Sequence, residues 1–163
     1  MLERTIYIFF DVDGVLNNHQ ARKKYQGREM RIICDDNLLQ FVELINKIED
    51  KYLIVLTSTW RYSPDSINIL KKALNKYNLK LSNCLDIAQS KTRGKIIMEY
   101  CQQRNILYDD IIIIDDSDIV ELPERLIKCD YNCGLTNNEV KKALMLLSLN
   151  NVLIVDLHNI FYL

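Results

Sequence analysis

The sequence predicts an α/β fold built on a central parallel sheet. Two observations carry this expectation. Segments of strand and helix character alternate along the chain. The strand segments are continuous apolar and β-branched runs, the pattern of strands buried on both faces. At 163 residues, 48% hydrophobic and 26% charged, the chain has the composition of one globular domain with a substantial core, read as 1–163.

The first element is TIYIFF, residues 5–10, an apolar run suited to a central strand. Asp35 or Asp36 is expected to cap a helix carrying Leu38, Phe41, Val42, Ile45 and Ile48 at helical spacing. YLIVL, residues 52–56, reads as a second buried strand. Ser63-Pro64 opens the next helix, with Ser at the cap and Pro at the first position; Ile67, Leu70, Leu74 and Tyr77 share one of its faces. A short strand is expected at 85–88. A helix follows from near Thr92 to about Arg104, with Ile96, Ile97 and Tyr100 inward. Ile111, Ile112, Ile113 and Ile114 are consecutive and give the strongest strand signal in the chain. Residues 126–129 read as the next strand. Thr136-x-x-Glu139 is a capping box that opens a last helix through about Leu147. The tail, 150–163, is expected to add an edge strand at 152–155.

Composition excludes several function classes. No apolar run approaches the ~20 residues needed to cross a bilayer, so no membrane partner is expected. The opening MLERTIYIFFDVDG lacks the small-residue cleavage site of a secretory leader. Five cysteines without a C-x-x-C pair suit reduced thiols better than disulfides or a zinc site, and the expected location is cytoplasmic. A formal net charge of −1 gives no global attraction to nucleic acid. His19 and His158 stand isolated in the sequence.

The reactive residue types collect where three apolar strands end. Asp11 and Asp13 follow the first, Thr57, Ser58 and Thr59 the second, and Asp115, Asp116 and Asp118 the isoleucine strand. In an open parallel sheet, ligands bind at the carboxyl ends of the strands where strand order reverses. Residues two apart in extended chain face the same side, so Asp11 and Asp13 can address one phosphate. Gly14 permits a sharp turn directly after them. One carboxylate can attack phosphorus to form an aspartyl phosphate. A second can protonate the departing alkoxide and then deprotonate water. So many carboxylates around a phosphate call for a cation, and Mg2+ takes such oxygen ligands. Asp118 reads as a cap or a solvent-facing residue.

F-F-D-V-D-G-V-L, L-I-V-L-T-S and I-I-I-I-D-D resemble, in order and spacing, the first, second and fourth motifs of the haloacid dehalogenase (HAD) superfamily of phosphatases. T-S-T-W-R, K-T-R-G-K-I-I and K-C-D-Y-N-C-G-L-T are similar to the small phosphatase-like domains of multidomain RNA-repair proteins and to the phosphatase half of polynucleotide kinase-phosphatases. The resemblance implies a Rossmann-like three-layer sandwich. It also implies Mg2+-dependent phosphomonoester hydrolysis, with Asp11 as nucleophile and metal ligand. Asp13 would be general acid/base, its backbone carbonyl also binding metal. Thr57 or Ser58 would donate to the phosphoryl oxygens, and Asp116, with Asp115 alongside, would complete the metal site. The third motif usually supplies Lys. Here Arg93-Gly94 stands between Lys91 and Lys95, and the sequence does not choose among Arg93, Lys95 and Lys91 for the cation.

The segment 17–33 follows the first motif, where related phosphatases carry a flap. It holds Arg22, Lys23, Lys24, Arg28 and Arg31 against Glu29, with Tyr25 among them. A basic flap attracts an anionic substrate. It is too short for a large cap, since a domain usually needs ~50 residues or more. The open site this implies suits a phosphate on a chain end or a protein. The basic flap with Tyr25 and the likeness to RNA-repair domains favour a nucleic-acid end or a nucleotide, with Gly14, Arg22, Lys23, Lys24 and Arg61 as substrate contacts. The rival readings are a small-metabolite phosphatase and a non-catalytic phosphate-binding domain.

Overall fold

The computed structural model describes residues 4–24, 31–85 and 91–160, with side chains described to residue 148. Five strands form one parallel sheet in the order β3-β2-β1-β4-β5. They are β1 (Thr5–Phe10), β2 (Lys51–Leu56), β3 (Asn83–Cys84), β4 (Ile111–Asp115) and β5 (Leu126–Lys128). The helices are α1 (His19–Lys24), α2 (Asp35–Asn46), α3 (Pro64–Asn75), α4 (Arg93–Arg104) and α5 (Asn137–Ile160).

The central strands β1 and β4 and the second half of β2 are buried on both faces, as their apolar runs require. Alternate residues of a strand point to opposite sides, and the core divides accordingly. Ile6, Ile8, Phe10, Ile54, Leu56, Ile112 and Ile114 pack with Leu38, Phe41 and Ile45 of α2, Leu70 and Leu74 of α3, and Val140 and Ala143 of α5. Phe9, Val55, Ile111 and Ile113 face the other way, against Ile96, Ile97, Tyr100 and Cys101 of α4. The result is a Rossmann-like three-layer sandwich, α/β/α, as the sequence predicts.

The helix starts expected at Ser63 and Thr92 are found. Ser63 Oγ accepts from the Ser66 amide, and Thr92 Oγ1 from the Lys95 amide. Thr136 and Glu139 form the expected capping box at α5. Three expectations are corrected. Cys34, not Asp35 or Asp36, occupies the cap position of α2 without a side-chain bond, and both acids fall in the first turn, where negative charge suits the helix dipole. The short strand expected at 85–88 lies earlier, at Asn83–Cys84, and 86–90 lie outside the described residues. The tail strand expected at 152–155 is helix instead, because α5 runs on to Ile160. No Gly or Pro interrupts that stretch, and a short apolar run does not by itself distinguish strand from helix.

Strand order changes direction at β1: β2 and β3 lie on one side of it, β4 and β5 on the other. The carboxyl ends of β1 and β4 therefore flank the switch point where open α/β sheets bind ligands. The insertion after β1 contains only the six-residue α1 among its described residues, so no large cap stands there.

Candidate active site

Sheet register brings the reactive residues together. Phe10 pairs with Leu56 on one side and Ile114 on the other. The next residues along, Thr57, Asp11 and Asp115, thus form one row across β2, β1 and β4. The Asp11 amide donates to the Ile114 carbonyl at 2.9 Å, and the Thr57 amide to the Phe10 carbonyl at 2.9 Å. Neighbouring strands lie ~4.8 Å apart, so the two carboxylates at the ends of β1 and β4 are forced close together.

Both are buried, Asp115 fully, and Arg93 reconciles them. Its Nη1 donates to Asp11 Oδ2 at 2.9 Å and also to Asp115 Oδ2. Burial alone pulls the guanidinium pKa down, and the two carboxylates more than reverse that. The Asp115 carboxyl is held above its ordinary range, chiefly by burial and also by Asp11, while Arg93 and the Ser117 amide work against this rise. Asp116 is raised as well, first by burial and then by Asp11.

Of the three basic candidates for the third motif, Arg93 reaches the carboxylates. Lys91 instead pairs with Glu99, at 2.6 and 2.8 Å. Lys95 is exposed, two residues further along α4 and so roughly 200° around the helix from Arg93. The glycine beside Arg93 has a steric reason: a Cβ at Gly94 would lie 2.1 Å from Glu121 Oε2 and 2.8 Å from its Cδ. Glu121 also accepts from Thr92 Oγ1, which ties the loop after β4 to the first turn of α4.

The turn after β1 is tight. The Val12 carbonyl accepts from the amides of Val15, Leu16 and Asn17, and Gly14 sits at φ +74°. A Cβ on Gly14 would lie 2.5 Å from Asp116 Oδ2, so the missing side chain leaves room for that carboxylate. Asp11, Asp115 and Asp116 each offer an oxygen, all within 4.8 Å of one another. Three hard, anionic oxygen donors in so small a space fit a divalent cation such as Mg2+. The side chain of Asp13 is not in this trio. Its carboxylate accepts from Asn17 Nδ2 at 2.8 Å and Trp60 Nε1 at 3.1 Å.

At the end of β2 the two hydroxyls differ. Ser58 Oγ accepts from the Trp60 amide and caps a 3-10 turn, Thr59–Tyr62. Thr57 Oγ1 is buried with no partner among the described residues, a costly condition unless a ligand supplies one. Arg61, expected to contact substrate, turns back on its own loop. It donates to the carbonyls of Thr57 and Ser58 and to Tyr62 Oη, because those carbonyls lie one helical turn behind it.

Of the flap's basic residues, Arg22 reaches the site, with Nη1 3.8 Å from Asp13 Oδ1 and 3.1 Å from Tyr131 Oη. Lys23 and Lys24 are exposed on α1, and Tyr25 and Arg28 lie outside the described residues. The loop after β5 braces the flap: the His19 amide donates to the Tyr131 carbonyl, and Asn37 links Asn18 to the carbonyls of Cys133 and Leu135. A cleft of about 190 Å³ opens beside Asp13, lined by Asp13, Asn17, Arg22, Arg31, Thr59 and Trp60.

The model of one protein family, the HAD domain in Swiss Army Knife RNA repair proteins, matches residues 7–140. The chain belongs to this family. Its open parallel sheet with flanking helices is the fold of a HAD domain, a family of HAD-type phosphatases in general. No curated protein matches the chain. Among the described residues, no helix is long and apolar enough to cross a membrane.

Asn17 and Trp60 were not legible as site residues. The signals available were an amide four positions after Asp13 and an indole N–H that must find an acceptor once buried.

The raised carboxyl of Asp116 has a consequence for stability. Its folded-state pKa lies above its unfolded value, so the folded form holds more protons in the window between the two. Stability is therefore lost as pH rises through the folded pKa. Asp116→Asn is expected to raise the melting temperature of the metal-free protein at pH 7. The gain should fade as the pH falls below the ordinary Asp range. Thermal melts of both proteins across that pH range check this; a lower melting temperature for the variant at pH 7 contradicts it.

Proposed function

We propose that the protein is a Mg2+-dependent phosphomonoester hydrolase acting through an aspartyl phosphate on Asp11. The observation that carries this is the meeting of Asp11, Asp115, Asp116 and Arg93 at the switch point of the sheet. Asp11, Asp115 and Asp116 would hold Mg2+, which would supply positive charge against the carboxylates and the phosphoryl group.

The chain's own residues perform the chemistry. A carboxylate oxygen of Asp11 attacks phosphorus, forming an O–P bond as the bond to the ester oxygen breaks. Asp13 gives its proton to the leaving alkoxide. It then takes a proton from the water that attacks the aspartyl phosphate, releasing inorganic phosphate and restoring Asp11. Arg93 lies against the nucleophile and offers positive charge to the phosphoryl group. The unpartnered Thr57 hydroxyl donates to a phosphoryl oxygen.

Within this reading a nucleic-acid end or a nucleotide is the preferred substrate class. The cleft beside Asp13 carries Arg22 and Arg31, the basic α1 borders it, and no large cap stands among the described residues to enclose a small metabolite. The family's description also points to RNA repair.

Asp11→Asn is expected to lower kcat on the order of 10⁴–10⁶-fold with the circular dichroism spectrum unchanged. Turnover near the wild-type rate would remove Asp11 from the nucleophile's role. For the flap, Arg22, Lys23 and Lys24 replaced together by Ser should raise KM for a phosphorylated oligonucleotide far more than for an aryl phosphate. Distant cations bind the phosphates that do not react, and their pull is screened over ~8 Å at physiological salt. The wild-type preference for the oligonucleotide should shrink as salt rises. Equal losses on both substrates, or none, would withdraw the flap from substrate binding.

A further inference from the structure

Asp13 is held from two sides. Asn17 Nδ2 donates to its Oδ1 at 2.8 Å, and Trp60 Nε1 donates to its Oδ2 at 3.1 Å. The donors come from different elements, the turn after β1 and the 3-10 turn after β2. Both are buried, Asn17 at 1% and Trp60 at 4% exposure, whereas the Asp13 side chain keeps 38% of its surface accessible and lines the cleft.

We propose that Trp60 and Asn17 are positioning residues that aim the Asp13 carboxyl at the leaving-group oxygen, a role that rests on reading Asp13 as the acid/base. An accessible aspartate otherwise samples several χ1 wells and a broad χ2. A donor on each oxygen fixes the carboxyl plane. An ionised carboxylate has about four lone-pair sites, so holding one on each oxygen leaves others for the travelling proton.

The donors are themselves fixed. Asn17 Oδ1 accepts from the Gly14 amide at 3.1 Å, and its Nδ2 also donates to the Ile32 carbonyl at 3.2 Å. Asn17 thereby links the Asp13-Gly14 turn to the chain returning from the flap. The Trp60 ring is too buried to stack on a substrate base, and its single polar atom is spent on Asp13. Arg22, 3.8 Å from Asp13 Oδ1, is substantially exposed, so its hold is weakened by solvent.

Misplacing a reacting group by ~1 Å can cost ~10²-fold. The cost falls on the step that needs the proton. An alkoxide leaves poorly without one, whereas a nitrophenolate leaves unprotonated. The test compares kcat/KM, which reports the steps through P–O cleavage, for an alkyl phosphate and for 4-nitrophenyl phosphate with Mg2+ present. Trp60→Phe keeps a buried ring and deletes the N–H. It is expected to lower kcat/KM for the alkyl ester roughly ten-fold more than for the nitrophenyl ester. Asn17→Ser should move the ratio the same way, and Asp13→Asn should move it furthest. A folded Trp60→Phe that loses both substrates equally, or neither, overturns the proposal and leaves Trp60 a core residue. Should that variant fail to fold, the ratio for Asn17→Ser decides in the same terms. If Asp13→Asn itself leaves the ratio unchanged, the acid/base reading of Asp13 falls, and the positioning role falls with it.

Discussion

Two carboxylates must share one corner of the sheet, and the surrounding structure answers that constraint. Asp11 and Asp115 end adjacent parallel strands in the same register, both buried. At an effective dielectric of about 20, two unit charges about 5 Å apart repel by roughly 3 kcal/mol. That is a large share of the 5–15 kcal/mol by which a domain is typically stable. Asp116 adds a third acid beside them. Arg93 offsets part of the repulsion by donating to Asp11 and Asp115 from one nitrogen. Three acids still face one guanidinium, and burial, ahead of Asp11, holds the carboxyls of Asp115 and Asp116 above their ordinary range. A site left short of positive charge is suited to a divalent cation, and stability is given up there for function.

Several local features follow from keeping Arg93 and the acids in contact. Glu121 crosses the first turn of α4 so closely that a Cβ at position 94 would push its carboxylate aside. Gly14 clears space for Asp116 and turns the chain away from the site in a left-handed conformation. The turn after β1 is braced in its turn by the loop after β5, where the Leu135 amide donates to the Val15 carbonyl. The two core layers hold the strands that define the row Thr57, Asp11 and Asp115, which makes packing far from the cleft a determinant of its geometry.

The features legible in the sequence were those set by short-range rules. Buried parallel strands announce themselves as apolar runs, and TIYIFF, YLIVL and the four isoleucines are all strands. Ser63-Pro64 and Thr136-x-x-Glu139 mark helix starts through contacts within one turn. The grouping of Asp11 with Asp115 and Asp116 followed from strand ends alone. The choice of Arg93 over Lys91 and Lys95 was not legible, because it depends on the rotation of α4 against the sheet and on Glu99 capturing Lys91. The holding of Asp13 by Trp60 was hidden for the same reason: the residues are 47 positions apart and meet only through tertiary packing. Arg61 misled because its nearest acceptors are carbonyls of its own loop. The run 152–155 misled because an uninterrupted preceding helix outweighs a short β-branched stretch.

The central claim is that Asp11 carries the phosphoryl group during turnover, since every other role is defined by its position relative to that carboxylate. Borohydride reduction of the protein during turnover of a phosphomonoester with Mg2+, followed by peptide mass spectrometry, reads the claim directly. An aspartyl phosphate is reduced to homoserine. The account predicts homoserine at position 11 and at no other aspartate. Homoserine at a different aspartate, or none anywhere while inorganic phosphate continues to be released, would contradict it.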